Sequence, residues 1–412
     1  MQARKGNQPP CQSFDLCSLM TDAISFIVPT FNRAEFLHEC LDSILSEAGP
    51  DDEVLVVDDG STDHTAAVLA EFAPRVKSIS LENGGKARAL NIALSKTDKP
   101  LVWIVDDDDV LAPGGRTRLM QGFASHRSVD FTYGRYLRFR STNGERQFEH
   151  TGYWRPCRPD ELLPATLEDM FVHQPGMLVR RTLYEQVGPF DEDLDRSVDY
   201  EMLIRLARCA TPFGTDEVVF YQRQHDGERG SASMRIKAEQ RDKSWLSHDA
   251  EIVRKLRGDL DLAEYLPGRS IGSRRDRRLA LIQRATVMMR KGLTALAFDD
   301  FRQAAAVTVA RLNETETETA KRALGSKYGA ETVDRDRMFL SGLVRLEQQS
   351  DVGRELADAI RSGLLWRIKH SIVSGQIARG LSYATAAGNL KIASLRNRLR
   401  SHPGRNCSGR KT

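Results

Sequence analysis

Cysteine is scarce in this 412-residue sequence and follows no metal-binding or cross-linking pattern. The six cysteines include no C-x-x-C pair and have no regular spacing. Zinc sites and the disulfide frameworks of small secreted proteins both show such patterns. The sequence therefore indicates neither, and it favours a protein of the reducing cytoplasm.

Long apolar runs are also missing. No run approaches the roughly 18 apolar residues that a membrane-spanning helix needs. Arg4 and Lys5 lie near the start, but no apolar core of a signal peptide follows them. We therefore expect a disordered tail over residues 1–22 and a cytoplasmic protein that is at most peripheral to a membrane.

Glycine-rich phosphate loops are absent as well. No G-x-G-x-x-G follows the first predicted strand, so the dinucleotide-binding fingerprint is missing. Gly85-Lys86 is similar to the end of a P-loop, but Ser80 replaces the first glycine and Ala87 the Ser/Thr. Both nucleotide-binding motifs are therefore excluded.

Charge is distributed unevenly along the chain. Residues 1–234 contain 25 Lys and Arg against 37 Asp and Glu, whereas residues 235–412 contain 35 against 20. This asymmetry predicts two parts with different roles. No acid follows Asp358, and residues 361–412 hold 11 Lys and Arg.

Strands and helices alternate over the first hundred residues of the predicted fold. Short apolar runs predict four strands, separated by helical periodicity: Ile24–Val28, Glu53–Val57, Val76–Leu81 and Leu101–Val105. This alternation predicts an α/β fold with an open, mainly parallel sheet. Ligands of such sheets bind beyond the carboxyl ends of the strands.

Four consecutive carboxylates, Asp106 to Asp109, follow the last of these strands. They repel one another and would be costly at the end of a buried strand without a compensating cation. In an extended chain Asp106 and Asp108 share one face, and such a D-x-D pair suits Mg²⁺ or Mn²⁺. A solvated acidic loop is the alternative. An EF-hand is excluded, because Thr117 stands where its bidentate Glu belongs.

Polar segments also follow the first two strands, at Pro29-Thr30-Phe31-Asn32 and Asp58-Asp59-Gly60-Ser61. These segments and the acidic cluster together resemble glycosyltransferase family 2, the inverting enzymes of GT-A fold. Within about residues 23–234 the matching stretches are, in order, IVPTFNRAEFL, VLVVDDGSTDHT, ENGGKARALNIAL, VDDDDVLAP and VRRTLYEQVGPFDEDLDRSVDYEMLIRLA.

The resemblance implies a GT-A domain over residues 23–234 that uses Mn²⁺ or Mg²⁺ and a nucleotide-diphosphate sugar donor. The acceptor would be the hydroxyl of a glycan, a lipid-linked group or a protein, in glycan or cell-surface polysaccharide synthesis. In the implied donor pocket, Asp58 or Asp59 hydrogen-bonds the base, and Lys86 and Arg88 contact the nucleotide or are merely solvated. The full set is Pro29, Thr30, Asn32, Asp58, Asp59, Lys86, Arg88, Asp106 and Asp107.

The resemblance also implies the metal ligands and the base. Asp108 is the main metal ligand, with Asp106 beside it, and His225 is a third contact to the metal or the diphosphate. Asp199 takes the place of the catalytic base, although Val198 stands where the family has Glu. A helix-capping role for Asp199 is the alternative, and Glu201 is the fallback base.

Beyond Met234 the resemblance ends, and residues 235–360 are predicted to be helical. Leu279–Val309 predicts two helices hinged near Gly292, and Asn313–Ala320 (NETETETA) predicts a polar linker. The basic tail, residues 361–412, contains Trp366 and is predicted to contact anionic membrane, with a solvated face as the alternative. Nucleic acid is not expected, because no binding motif accompanies the charge.

Two other functions stay open at this point. A nucleotidyltransferase would also clamp a nucleotide and a metal, but it should carry a glycine-rich loop where Pro29-Thr30-Phe31 stands. A catalytically inactive, glycosyltransferase-like scaffold protein is the other, and the intact D-x-D and Asp199 disfavour it. The sequence identifies neither the sugar nor the nucleotide nor the acceptor.

Overall fold

A computed structural model describes residues 23–142, 145–225, 241–325, 333–373 and 375–401. The predicted tail over 1–22 and the predicted boundary at residue 234 lie outside these ranges. Fourteen helices occur in them: α1 (Ala34–Glu47), α2 (Thr65–Glu71), α3 (Lys86–Lys96), α4 (Gly115–Ser125), α5 (Leu162–Glu168), α6 (Arg181–Val187), α7 (Val198–Cys209), α8 (Arg241–Asp259), α9 (Arg274–Arg290), α10 (Thr294–Val307), α11 (Glu314–Lys321), α12 (Arg337–Gln349), α13 (Asp351–Val373) and α14 (Ile377–Ser401).

The chain forms two compact units that alternate along the sequence. The first contains the described residues up to Trp154, together with Val172–Glu192 and Cys209–His225. The second contains Arg155–Phe171, Asp193–Arg208 and the described residues from 241 onward. The predicted domain over 23–234 is one continuous stretch, whereas two pieces of that stretch group with the C-terminal helices.

The first unit is built on one sheet of nine strands: β1 (Ile24–Thr30), β2 (Glu53–Asp58), β3 (Lys77–Ser80), β4 (Leu101–Ile104), β5 (Val110–Leu111), β6 (Phe131–Thr142), β7 (Glu145–Thr151), β8 (Met177–Arg180) and β9 (Pro212–Arg223). The strand order is β3-β2-β1-β4-β8-β6-β9-β5, with β7 paired to β6. β1 pairs in parallel with β2 and β4, and β2 with β3. The predicted α/β fold and the parallel pairing of β1 to β4 are therefore confirmed. The sheet as a whole is mixed and not mainly parallel, because β8 pairs antiparallel with β4 and β6, β7 with β6, and β5 with β9.

The central strands of the parallel part are apolar throughout, as expected for strands that are covered on both faces. Every residue of β1 and β4 is buried, and Phe26 stacks on Trp103 at 5.5 Å between ring centroids. β1 continues two residues beyond its predicted end at Val28. Pro29 is tolerated there because the pairing with β4 has already ended at Ile27, so no N–H is needed on that side.

The second unit is helical, as predicted for residues 235–360. Helices α9 and α10 pack together, and Gly292 between them has a φ of +74°, which confirms the two-helix hairpin hinged at that glycine. Part of the predicted basic tail is helical too, in α13 and α14, whereas residues 402–412 lie outside the described ranges. Among the described residues, no helix combines the length and the apolarity needed to cross a bilayer.

The predicted polar linker over Asn313–Ala320 is wrong, because Glu314–Lys321 forms α11. The Asn313 side chain accepts from the Glu316 N–H at 2.8 Å, and the Glu316 carboxylate accepts from the Asn313 N–H at 2.9 Å. This is a capping box. Glu316 is also fully buried in a bidentate pair with Arg278, at 2.6 Å for each bond. The polar segment therefore forms a helix whose Glu316 is buried by its ion pair with Arg278.

A second buried carboxylate lies at the end of α5. Glu168 accepts hydrogen bonds from Arg322 at 3.0 and 3.1 Å, from Arg155 at 3.2 Å and from Gln283 at 2.7 Å. Burial alone would raise the pKa of Glu168, but the charges of Arg322, Arg155 and Arg290 hold that pKa at about 2. The carboxylate therefore stays ionised and joins α5 to helices from the C-terminal part of the chain.

Candidate active site

The ends of β1 and β2 are tied together by the polar residues that follow them. The Asn32 N–H donates to Ser61 Oγ at 2.8 Å, and the Asn32 side-chain oxygen accepts from the Thr62 N–H at 2.8 Å. Asn32 has a φ of +53°, a conformation that asparagine tolerates better than most residues. The predicted pocket residue Asn32 therefore fixes the shape of two loops at the carboxyl edge of the sheet.

The two carboxylates after β2 have different surroundings. Asp58 accepts from the Ser61 N–H at 2.9 Å, within its own turn. Asp59 accepts from the backbone N–H groups of Gly84 and Gly85, each at 2.8 Å, and from the Asn83 side chain at 3.0 Å. Asp59 thus holds the turn before α3, whereas Asp58 keeps more of its accepting capacity for a ligand.

The two basic residues predicted on α3 have clear partners. Lys86 Nζ donates to Asp106 Oδ1 at 2.6 Å, which places this cation at the acidic cluster. Arg88 donates to the backbone carbonyl of Glu82 at 3.1 Å and so braces the turn before its own helix. Of the two, Lys86 is the one that the structure brings to the acidic residues.

The carboxylates of the acidic cluster affect one another's ionisation. Desolvation and the charge of Asp108, with a smaller effect from Asp106, raise the pKa of Asp107 to about 7, although Arg33 and the Thr30 hydroxyl oppose this. Desolvation is the largest of these causes, and a cation bound beside Asp108 would offset the repulsion that adds to it.

Asp108 and His225 meet at the edge of the sheet. Asp108 Oδ2 lies 2.9 Å from His225 Nε2, and Arg33 Nη1 lies 3.0 Å from the same nitrogen and 3.5 Å from the same oxygen. The pairing of β5 with β9 explains this contact between residues distant in sequence. Val110 opposes Tyr221, so the residues before β5 and after β9 come together.

Arg223, at the end of β9, organises the backbone of the same cluster. Its Nε donates to the Asp108 carbonyl at 3.0 Å, and its N–H donates to Asp109 Oδ1 at 3.0 Å. Its guanidinium pairs with Glu39 and lies over the rings of Phe36 and Phe139. Arg223 is therefore a fixed, buried brace beneath the site.

Asp199 and Glu201 lie in the second unit, in the first turn of α7. Asp199 is half-buried, and its Oδ1 accepts from the Tyr200 N–H at 2.9 Å. Glu201 is held by Arg205 through two bonds of 2.8 Å. The structure thus engages Glu201 in an ion pair along its own helix, and the role of Asp199 as base stays a prediction.

Residues 25–188 match the family model described as glycosyl transferase family 2. The chain carries a family 2 glycosyltransferase domain. The nine-stranded α/β sheet of the first unit is its GT-A-type core, as the resemblance implied.

Relatives of this family 2 domain include polysaccharide synthases. Chondroitin synthase of Pasteurella multocida is 30% identical over 188 residues, which cover 45% of this chain and 19% of that protein. Hyaluronan synthase of Pasteurella multocida is also 30% identical, over 45% of this chain and 18% of that protein. The chain thus spans about a fifth of the length of either synthase.

Among solved structures, Staphylococcus aureus TarS 1-349 in complex with UDP-GlcNAc aligns with a TM-score of 0.48 and 17% identity, over 82% of this chain and 91% of that chain. The mannosyltransferase PcManGT from Pyrobaculum calidifontis, in complex with GDP-Man and Mn²⁺, aligns with a TM-score of 0.42 and 19% identity, over 83% of this chain and 86% of that chain.

The family 2 domain brings most of the predicted site residues to one edge of its sheet, and it adds three that the sequence did not single out. Arg33 could have been found, because it directly follows Asn32 in the segment after β1. Arg223 and Glu39 had no local signal, since their roles depend on the pairing of β9 and on the position of α1. The donor-binding roles of the individual residues stay predictions.

The side chains at this point suit a divalent cation that would be coordinated largely by the substrate. Asp108 and His225 offer a carboxylate and an imidazole at one point beside Arg33, whereas the predicted ligand Asp106 is paired with Lys86. In the described part of the chain, no three His, Cys, Asp or Glu side chains converge as a complete metal site. Mg²⁺ in particular often takes only one or two protein ligands and completes its shell with phosphate and water.

Proposed function

We propose that this protein transfers a sugar, with inversion, from a nucleotide-diphosphate donor to an acceptor hydroxyl, with Mn²⁺ or Mg²⁺ as cofactor. The observation that carries the proposal is the meeting of Asp108 and His225 at the edge of the family 2 sheet, at the end of the acidic cluster. The names of the two Pasteurella relatives support a growing polysaccharide as the acceptor.

Separate groups of residues would bind the nucleotide, the cation and the diphosphate. The nucleotide pocket lies at the ends of β1 and β2 and is formed by Thr30, Asn32 and Asp58. Asp58 would accept a hydrogen bond from the base. Asp108 and His225 would hold the cation, which would offset the charge of the leaving diphosphate. Lys86 and Arg33 supply fixed positive charge at the same place.

Asp199 is the proposed base. An acceptor hydroxyl is a poor nucleophile near neutral pH, so a carboxylate must take its proton as the new bond forms. We assign this role to Asp199, which lies in the first turn of α7 at the position where the family has its base.

A panel of nucleotide sugars tests the donor class. With Mn²⁺ present, the correct donor at 100 times its Kd should add about 2.7 kcal/mol to the free energy of unfolding. Thermal unfolding would measure this, and slow release of the nucleoside diphosphate from the same donor would show catalytic competence. A scaffold protein would release none. If no donor shifts the unfolding temperature or is consumed, the proposed function is wrong.

The C-terminal helices carry a surface that fits an anionic membrane. Six apolar residues around the end of α13 and the start of α14 are each more than half exposed: Leu365, Trp366, Ile372, Val373, Ile377 and Leu381. No acid occurs after Asp358, and Lys369 and Arg379 lie among these residues. Anionic lipid matches both features. A second copy would bring like charges together.

We therefore expect the full chain to sediment with phosphatidylglycerol vesicles, not with phosphatidylcholine vesicles, and to be released as salt rises. Trp366→Ser combined with Ile377→Ser should weaken this binding strongly. Val309→Ser is a matched control, because Val309 is 97% exposed but lies outside this surface. Equal sedimentation of the double variant and the wild type would rule the membrane contact out.

A further inference from the structure

The residue two positions before Asp199 has an unusual backbone. Ser197 has a φ of +57°, in the left-handed region, and its carbonyl accepts from the Glu201 N–H at 3.0 Å in the first turn of α7. A non-glycine residue in this region is strained and persists only where the surroundings enforce it. The start of α7 is therefore held in place from outside the helix.

Two residues of the C-terminal helical region enforce this conformation. Ser197 Oγ donates to Asp249 Oδ1 at 2.8 Å, and Lys291 Nζ donates to Asp249 Oδ2 at 2.8 Å. Asp249 lies on α8, and Lys291 directly follows α9. Both oxygens of the Asp249 carboxylate therefore accept hydrogen bonds, one from the strained Ser197 and the other from the buried Lys291.

The lysine is itself held firmly. Lys291 is buried, and its Nζ lies 4.4 Å from the centre of the Tyr200 ring. The Tyr200 hydroxyl donates to the Leu167 carbonyl at 3.1 Å. Burial would lower the pKa of Lys291, but Tyr200, Asp249 and Asp169 more than offset this, so the pKa is raised and the ammonium persists.

We propose that Asp249 and Lys291 are positioning residues for Asp199, acting through the backbone of Ser197. The proposal rests on the proposed role of Asp199 as base. It assigns part of the catalytic geometry to the helical region beyond the family 2 match. Only two peptide units separate Ser197 from Asp199, so a change at Ser197 would redirect the carboxylate.

Removing the Asp249 carboxylate should therefore reduce turnover rather than donor binding. A displacement of about 1 Å can cost up to 10²-fold in rate. We expect Asp249→Ala to lower kcat by roughly 10- to 100-fold and to leave the donor KM within about two-fold, because donor residues in the first unit are unchanged. Asp249→Glu, which restores a carboxylate, should recover part of the loss.

The decisive measurement is a double-mutant cycle on kcat. Asp249→Ala is made in the wild type and in Asp199→Asn. If Asp249 acts through Asp199, its removal should matter in the first background and have little further effect in the second. An equal loss in both backgrounds would show a general structural role and overturn the proposal. If Asp249→Ala does not fold, the same double-mutant cycle can be made with Ser197→Ala, which removes only the hydroxyl.

Glu264→Gln is the matched control. Glu264 pairs with Arg208 at the other end of α7, through bonds of 2.8 and 3.0 Å. Glu264→Gln removes an ion pair of α7 far from Ser197 and should leave kcat unchanged, whereas Asp249→Ala should lower it. If Asp199→Asn itself has near wild-type kcat, the assignment of Asp199 as the base fails. If Asp199→Asn is inactive but Asp249→Ala is like wild type, only the positioning role fails.

Discussion

Replacing Asp199 by asparagine should lower kcat by roughly 10²–10⁴, because the amide keeps the shape of the side chain but cannot take the acceptor's proton. Donor affinity should stay within a few-fold, since the residues proposed to bind the donor lie at the ends of β1, β2 and β4. Steady-state kinetics with the donor found in the panel, together with titration of that donor by calorimetry, would measure both quantities.

Glu201→Gln is the internal control for this experiment. Glu201 lies in the same turn of α7, but its carboxylate is already committed to Arg205. The glutamine variant should lose a little stability, about 0.3–0.5 kcal/mol for an ion pair of this spacing, and should keep its kcat. A near wild-type rate for Asp199→Asn, or a large loss for Glu201→Gln alone, would assign the base elsewhere.

Asp108→Ala is expected to abolish sugar transfer and to weaken binding of the nucleotide diphosphate strongly. Asp108 is the carboxylate that meets His225, so its removal takes away one of the two proposed cation ligands. Excess EDTA should have the same effect on the wild type, reversed by added Mn²⁺ or Mg²⁺. His225→Ala should raise the Mn²⁺ concentration needed for half-maximal activity.

Asp98→Ala provides the comparison for Asp108→Ala. Asp98 is a strongly exposed carboxylate of the same unit, 83% accessible, and its partner Lys99 is also on the surface. Asp98→Ala changes the net charge by the same amount as Asp108→Ala but should leave sugar transfer unaffected. Full activity of the wild type in excess EDTA would contradict the metal assignment, whatever the behaviour of Asp108→Ala.

The sequence predicted the features that depend on local pattern. The apolar runs of β1, β2 and β4 gave the parallel sheet because a strand buried on both faces needs apolar residues throughout. The helical period gave the buried face of α1, which includes Leu37, Leu41 and Ile44. The clustering of polar residues at the strand ends followed from the sheet itself.

Features that depend on distant partners could not be read from the pattern. Helix α11 packs into the core because Arg278 pairs with the buried Glu316 carboxylate. Nothing in the sequence near Glu316 indicates that this arginine is its partner. Asp59 uses its carboxylate on Gly84 and Gly85, 25 and 26 residues away, which the strand-end pattern does not show. The contact of Arg33 with Asp108 and His225 likewise requires the β5–β9 pairing.

The buried carboxylate of Glu168 limits how freely this transferase could be recombined with other proteins. Glu168 belongs to the stretch matched by the family, yet Arg322 and Gln283, which bind its side chain, come from the C-terminal helices. Cutting the chain at residue 234 would strand this charge, at a cost of about 3–5 kcal/mol for a broken buried pair. That is a large fraction of a typical stability of about 5–15 kcal/mol. The stretch matched by the family therefore depends on the C-terminal helices, and domain swaps or gene fusions must include them.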